Sequence, residues 1–171
     1  MTYANLSVPR IVLDTNVCLD LWVFADPGCA RVLAALRSGA VQAVTRDDCR
    51  AEWQRVLHYP QLPIDDQSRP LVDAAFTANV QLLTDTDSVP VDAGRRLPRC
   101  ADPDDQKFLE LALASGARWL LSKDRELLKL DRRARMASGF SILLPQAWAP
   151  TEVPDAGTGR GMAGNHAKVV A

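Results

Sequence analysis

A three-layer α/β/α domain with a central parallel sheet is the fold class this sequence predicts, on three observations. Short β-branched or aliphatic runs alternate with amphipathic helical segments, the pattern of parallel strands covered on both faces. The chain has 171 residues, 47% hydrophobic and 24% charged, which suits one globular domain. Neither an internal repeat nor an apolar run of roughly 20 residues, the length of a membrane span, breaks the pattern.

The elements follow in order. Arg10-Ile11-Val12-Leu13 is a compact apolar run that stops at the turn and capping residues Asp14, Thr15 and Asn16, so it reads as a buried strand ending in a carboxylate. Residues 17–24 read as a helix broken at Asp26-Pro27-Gly28, and residues 29–37 as a second one closed by Ser38-Gly39. After a strand at 41–44, Thr45 is expected to cap a helix through Tyr59, with Cys49, Trp53, Val56 and Leu57 inward and Pro60 and Pro63 beyond its end. Residues 66–83 have the period of one long helix, entered through Arg69-Pro70.

Residues 89–91 form a candidate short strand, and residues 95–102 a basic loop. Pro103 sits in the first turn of a helix that runs from Asp104 to Ser115-Gly116, and Trp119 to Ser122 is a strand ending at Lys123-Asp124. A basic helix over 125–135 and a strand over 140–144 complete a domain assigned to residues 1–149. Residues 150–171 hold Gly157, Gly159, Gly161 and Gly164 with almost no periodic apolar pattern, so a disordered tail is expected there.

Charge and cysteines narrow the function classes. Lys and Arg total 20 against 21 Asp and Glu, a net charge of −1, so any polyanionic partner must be held locally. The first ten residues lack the basic start and apolar core of a signal peptide, and a cytoplasmic protein without membrane contact is expected. Cys18, Cys29, Cys49 and Cys100 form no C-x-x-C pair, and His58 and His166 are the only imidazoles, which argues against structural zinc and for reduced, mostly buried thiols.

The carboxylates are the informative residues. In a parallel sheet the ligand crevice lies beyond the carboxyl ends of the strands, where Asp14 and Asp124 would both project. Asp105 precedes Phe108 and Leu109 by three and four residues, on a core-facing side, and Glu52 shares a helical side with Cys49 and Val56. Four converging oxygen donors without His or Cys companions are the ligand set of a hard cation, Mg²⁺ or Mn²⁺, and point to phosphate chemistry. Plain structural uses exist for each: Asp14 as a turn or cap residue, Asp105 as a charge favoured at a helix N-terminus, Asp124 as a cap, Glu52 as the partner of Arg46 or Arg55.

From about residue 10 to residue 144 the chain resembles the PIN-domain ribonucleases, a fold used by toxin subunits of bacterial toxin–antitoxin pairs. The resemblance rests on Ile11-Val12-Leu13-Asp14-Thr15-Asn16, on Glu52, on Asp102-Pro103-Asp104-Asp105-Gln106-Lys107-Phe108-Leu109, and on Leu120-Leu121-Ser122-Lys123-Asp124. It implies a metal-dependent endoribonuclease in which Asp14, Glu52, Asp105 and Asp124 are the catalytic, metal-binding acids, with Thr15, Asn16 and Ser122 supporting them. Asp102 and Asp104 compete for the third position; Asp105 is preferred for its distance from Gly116, where similar domains place theirs. The same resemblance implies an RNA substrate, products with a 5′-phosphate and a 3′-hydroxyl, a small antitoxin partner and a homodimer.

Two basic stretches, residues 123–135 and Arg95, Arg96 and Arg99, are candidates to track a phosphate backbone or are simply solvated faces. Trp22 and Trp53 read as core residues. A haloacid-dehalogenase-like phosphatase also begins with a strand ending in Asp, but it needs a second acid where this chain has Asn16. A non-catalytic RNA- or protein-binding module of the same fold is the other alternative, and it would gain nothing from a buried Asp105.

Overall fold

The computed structural model describes residues 7–91 and 94–150. Five strands, β1 (Arg10–Leu13), β2 (Gln42–Thr45), β3 (Val80–Leu82), β4 (Trp119–Leu121) and β5 (Ser141–Leu143), form one sheet in the order β3-β2-β1-β4-β5. Every pairing is parallel. Seven helices accompany them among the described residues: α1 (Thr15–Trp22), α2 (Ala30–Ser38), α3 (Asp47–Val56), α4 (Ser68–Asn79), α5 (Gln106–Ser115), α6 (Arg125–Leu128) and α7 (Asp131–Ser138).

The strands are apolar on both faces because both faces are covered. Ile11, Leu13, Ala43, Trp119 and Leu121 point into one core with Val17, Val32, Trp53 and Phe76 from α1 to α4. Val12, Val44, Leu120 and Ile142 point into the other with Phe108, Leu109, Leu127 and Ala134. Trp53 and Phe76 stack with centroids 4.9 Å apart, Trp22 meets both edge-on, and the buried Trp53 Nε1 donates to Asp73 Oδ1 at 3.0 Å. Trp53 is a core residue as expected, and Trp22 is half-buried against it. All four cysteines are buried free thiols, and among the described residues no helix is long and apolar enough to cross a membrane.

Several boundaries differ from the sequence expectation. The long helix expected over 66–83 stops at Asn79, and Val80 turns extended (φ −123°) to open β3 beside β2. Buried Val80 and half-buried Leu83 happen to continue the helical period, which hid a strand of three residues. Residues 89–91 are not a strand; the Val89 N–H donates to the Ala114 carbonyl at 2.9 Å instead. Thr45 does not cap α3: it is the buried last residue of β2, Arg46 holds the cap position, and α3 ends at Val56 rather than Tyr59.

The helix expected from Asp104 begins at Gln106 after a 3₁₀ turn over Pro103–Asp105. The basic helix expected over 125–135 is two helices, broken at Lys129-Leu130, where buried Leu130 turns inward and Asp131 Oδ1 accepts from the Ile142 N–H at 2.8 Å. The tail expected over 150–171 lies, from residue 151 on, outside the described residues.

Gly116 ends α5 in the left-handed region (φ +63°) and lets the chain enter β4. A Cβ there would stand 3.1 Å from Val89 Cγ2. Gly116→Ala is therefore expected to lower unfolding free energy by about 1–2 kcal/mol, measured by urea denaturation, with the fold kept.

Candidate functional site

The order of the strands sets where a ligand goes. The chain builds β1, β2 and β3 outward to one side and then returns to build β4 and β5 on the other, so the order reverses between β1 and β4. A crevice opens at such a reversal beyond the carboxyl ends of the strands. Leu13 pairs with Leu121 at the last rung, which brings the residues that follow, Asp14 and Ser122, side by side.

Asp14 is 4% exposed and caps α1. Its Oδ1 accepts from the Asn16 N–H at 2.9 Å, and its Oδ2 accepts from the Ser122 hydroxyl at 2.5 Å. That same hydroxyl accepts from the Asp124 N–H at 2.9 Å, so one serine ties the two strand-end acids together. Asp124 caps α6 through Oδ1, which accepts from the Glu126 and Leu127 N–H groups at 2.6 and 3.2 Å. The capping roles of Asp14 and Asp124 are thus real and coexist with their place at the crevice. The side chain of Asn16 is exposed, and it is its backbone N–H that meets Asp14.

Glu52 approaches from α3, half-buried. Its Oε1 accepts from the Thr15 hydroxyl at 2.6 Å and its Oε2 pairs with the Lys107 ammonium, which also donates to the Asp104 carbonyl at 2.8 Å. Neither Arg46 nor Arg55 is its partner; Arg46 pairs with Asp48 and Glu110 instead. Burial disfavours the Lys107 ammonium, but the hydrogen bond and charge of Glu52 outweigh it and raise its pKa.

Asp105 stands at the N-terminus of α5, half-buried, and among the described residues its carboxylate meets no hydrogen-bond donor. Burial and then the charges of Asp14, Asp102, Asp124 and Glu52 push its pKa up to about 6. Burial likewise raises Asp14, against the Ser122 and Asn16 hydrogen bonds and with the charges of Glu52 and Asp124. Of the two competitors for the third position, Asp102 caps the 3₁₀ turn by accepting from the Asp104 N–H at 2.9 Å, and Asp104 is exposed.

All four expected acids therefore share one electrostatic neighbourhood at the crevice. As arranged, and among the described residues, no three Asp, Glu, His or Cys side chains stand close enough to ligate one ion, and Lys107 supplies the positive charge beside Glu52. The donor set nevertheless fits a hard cation: the carboxylates are oxygen donors with no imidazole among them, and burial, with neighbouring acids adding to it, disfavours the charged forms of Asp14 and Asp105 that a cation would stabilise.

Two cations at this crevice take partners that the sequence does not reveal, Lys123 being legible only as one of the basic residues of 123–135. Lys107 lay inside the acidic segment without an assigned role, although a lone lysine two residues from Asp105 was a visible signal. Lys123 pairs with the buried Asp20 of α1 at 2.6 Å, which clamps the β4 end against α1; nothing in the spacing of 20 and 123 signals that. A separate cleft of about 480 Å³, beside Arg10, Gln42, Asp87 and Arg118, lies at the amino-terminal ends of β1, β2 and β4, away from these acids.

The sequence matches the family model described as the PIN domain over residues 10–126. No curated protein matches it. Among solved structures, VapBC2 from Rickettsia felis bound to a DNA fragment from its promoter is similar in fold, with a TM-score of 0.51 and 11% sequence identity over 79% of this chain and 98% of that one.

The raised pKa of Asp105 gives a pH dependence. Its folded value of about 6 lies above the ordinary 3.8, so between about pH 4 and 6 the folded protein holds more protons than the unfolded chain, and ionising Asp105 opposes folding. Thermal melts in EDTA should find wild type losing stability relative to Asp105→Asn as pH rises through that window, with a level difference above it. A wild type that gains stability relative to Asp105→Asn as pH rises through that window would contradict burial and neighbouring charge as the origin of the raised value.

Proposed function

The chain belongs to the PIN-domain family, and from that premise we propose that it is a metal-dependent endoribonuclease, the toxin half of a toxin–antitoxin pair. One observation carries the proposal: Asp14, Asp124, Glu52 and Asp105 lie within electrostatic reach of one another at the reversal of strand order, with the buried carboxylate of Asp14 among them. A packing or capping role alone leaves Asp105 unexplained, since burial and its acidic neighbours raise its pKa and no donor meets it among the described residues.

In this proposal Asp14, Glu52, Asp105 and Asp124 hold Mg²⁺ or Mn²⁺. A divalent cation bound by carboxylates makes water more acidic and offsets charge on a phosphodiester. The protein's own part is orientation. Ser122 and the Asn16 N–H fix both oxygens of Asp14, and the Ser122 hydroxyl also holds the backbone of Asp124. Thr15 aims Glu52. Asp105, whose carboxylate meets no donor among the described residues, is the member suited to orient a water or the cation. Lys107 stands where it balances the charge of Glu52 or of a phosphate oxygen.

Family membership suggests that the 3′ oxygen is the leaving group, so that hydrolysis gives a 5′-phosphate and a 3′-hydroxyl. The partners proposed with this activity are a small antitoxin that covers the crevice and a second copy of the chain in a homodimer, both drawn from family membership, as is a cytoplasmic setting.

The test is cleavage of a mixed-structure RNA by identically prepared wild type and Asp14→Asn, in Mg²⁺, Mn²⁺ or EDTA. Wild type should cut only with metal, and Asp14→Asn should lose roughly 100-fold or more. Equal cutting by both preparations overturns the assignment. Ser122→Ala, which removes an orienting group and not a carboxylate, should lose roughly 10- to 100-fold at saturating RNA.

A further inference from the structure

A chain of net charge −1 that holds RNA beside a cluster of acids must concentrate its cations locally. Arg99, Lys129 and Arg133 do so. Together with Cys100, Glu126 and Leu130 they line a groove of about 470 Å³, roughly nucleotide-sized by the standard of small-ligand pockets. Arg99 comes from the loop ahead of α5, Lys129 from the break between α6 and α7, and Arg133 from α7, so the groove joins the two basic stretches that lie apart in sequence.

The groove has a fixed floor, since Cys100 and Leu130 are buried. Its one carboxylate, Glu126, is paired with Lys129 at 2.5 Å. Among the described residues Arg99 and Arg133 have no acid within ion-pair distance. Arg95 is different: its Nη1 donates to the Ser138 carbonyl at 3.0 Å and ties the loop to α7.

The groove adjoins the crevice. Glu126, on its wall, donates its N–H to Asp124 Oδ1, and the Cys100 thiol on its floor feels the charges of Asp105 and Asp124. Building on the nuclease reading above, we propose that Arg99, Lys129 and Arg133 form a phosphate-binding subsite that grips the RNA backbone next to the phosphodiester to be cut. Two guanidinium forks suit phosphate oxygens, which accept paired N–H donors. A phosphodiester chain running from this groove into a cation-holding cluster has its charge met along its length. An acidic peptide in the same groove would set its own carboxylates against Asp105 and Asp124.

The test reads binding in EDTA, where metal-dependent cutting does not occur. A labelled short RNA is titrated with wild type, Arg99→Gln/Arg133→Gln and Arg37→Gln/Arg118→Gln, and thermal melts establish that each is folded. The third protein loses the same charge on α2 and at the amino-terminal end of β4. The groove variant should bind about tenfold more weakly and lower the slope of log K against log salt by about 1.4, two contacts at about 0.7 each for a single strand. The control should keep wild-type affinity and slope.

An unchanged groove variant, an equal loss in both variants, or wild-type binding too weak to measure overturns the subsite. So does displacement of the RNA by polyglutamate at matched charge, which would assign the groove to an acidic polypeptide. Failure of the nuclease reading is distinct: wild type would then bind the strand in EDTA and leave it intact in Mn²⁺.

Discussion

Asp14 sits almost without solvent at the end of β1, and a carboxylate in that position is tolerated only where donors meet it. Two do: the Asn16 N–H, which α1 supplies by starting immediately after the strand, and the Ser122 hydroxyl, which β4 supplies by ending at the same level as β1. The Asp14–Ser122 hydrogen bond therefore depends on the parallel register of β1 with β4. That register depends on the apolar layers on either side of the two strands. Because Ser122 also holds the Asp124 backbone, a slip of β4 by one residue would separate both acids and reverse the faces of Trp119, Leu120 and Leu121.

The rest of the crevice is arranged around that bond by electrostatics. Glu52 is brought in by α3 and given a partner at each oxygen, Thr15 on one and Lys107 on the other. Asp105 is left without a donor among the described residues, and its high pKa follows from burial and from the acids around it. An ensemble of this kind trades folding stability for a site in which added positive charge is welcome. The basic groove beside Asp105 and Asp124 places positive charge next to the negative cluster without neutralising it, because Glu126 is paired within the groove and the arginines face outward.

Much of this was legible in the sequence, for identifiable reasons. Runs such as Ile11-Val12-Leu13 and Trp119-Leu120-Leu121 are short and wholly apolar, and each is followed at once by capping residues, so both the strands and the acids at their ends could be placed. Asp105 could be found because its spacing to Phe108 and Leu109 put a charge where apolar contact was expected. What stayed hidden depends on tertiary partners. β3 exists because β2 offers an edge to pair with, although its residues continue a helical period. Glu52 meets Lys107, 55 residues away, instead of the nearby arginines, and the groove joins Arg99 to Arg133 only after the chain has folded.

The central claim is that the four acids form a cation site with Asp14 at its core. Its most direct test is isothermal titration of Mn²⁺ into wild type and Asp14→Asn at about pH 7, where a carboxylate of pKa near 6 is ionised. Saturable binding to wild type is expected, and loss of that binding in Asp14→Asn. Mn²⁺ binding of equal affinity and stoichiometry to both proteins would contradict it.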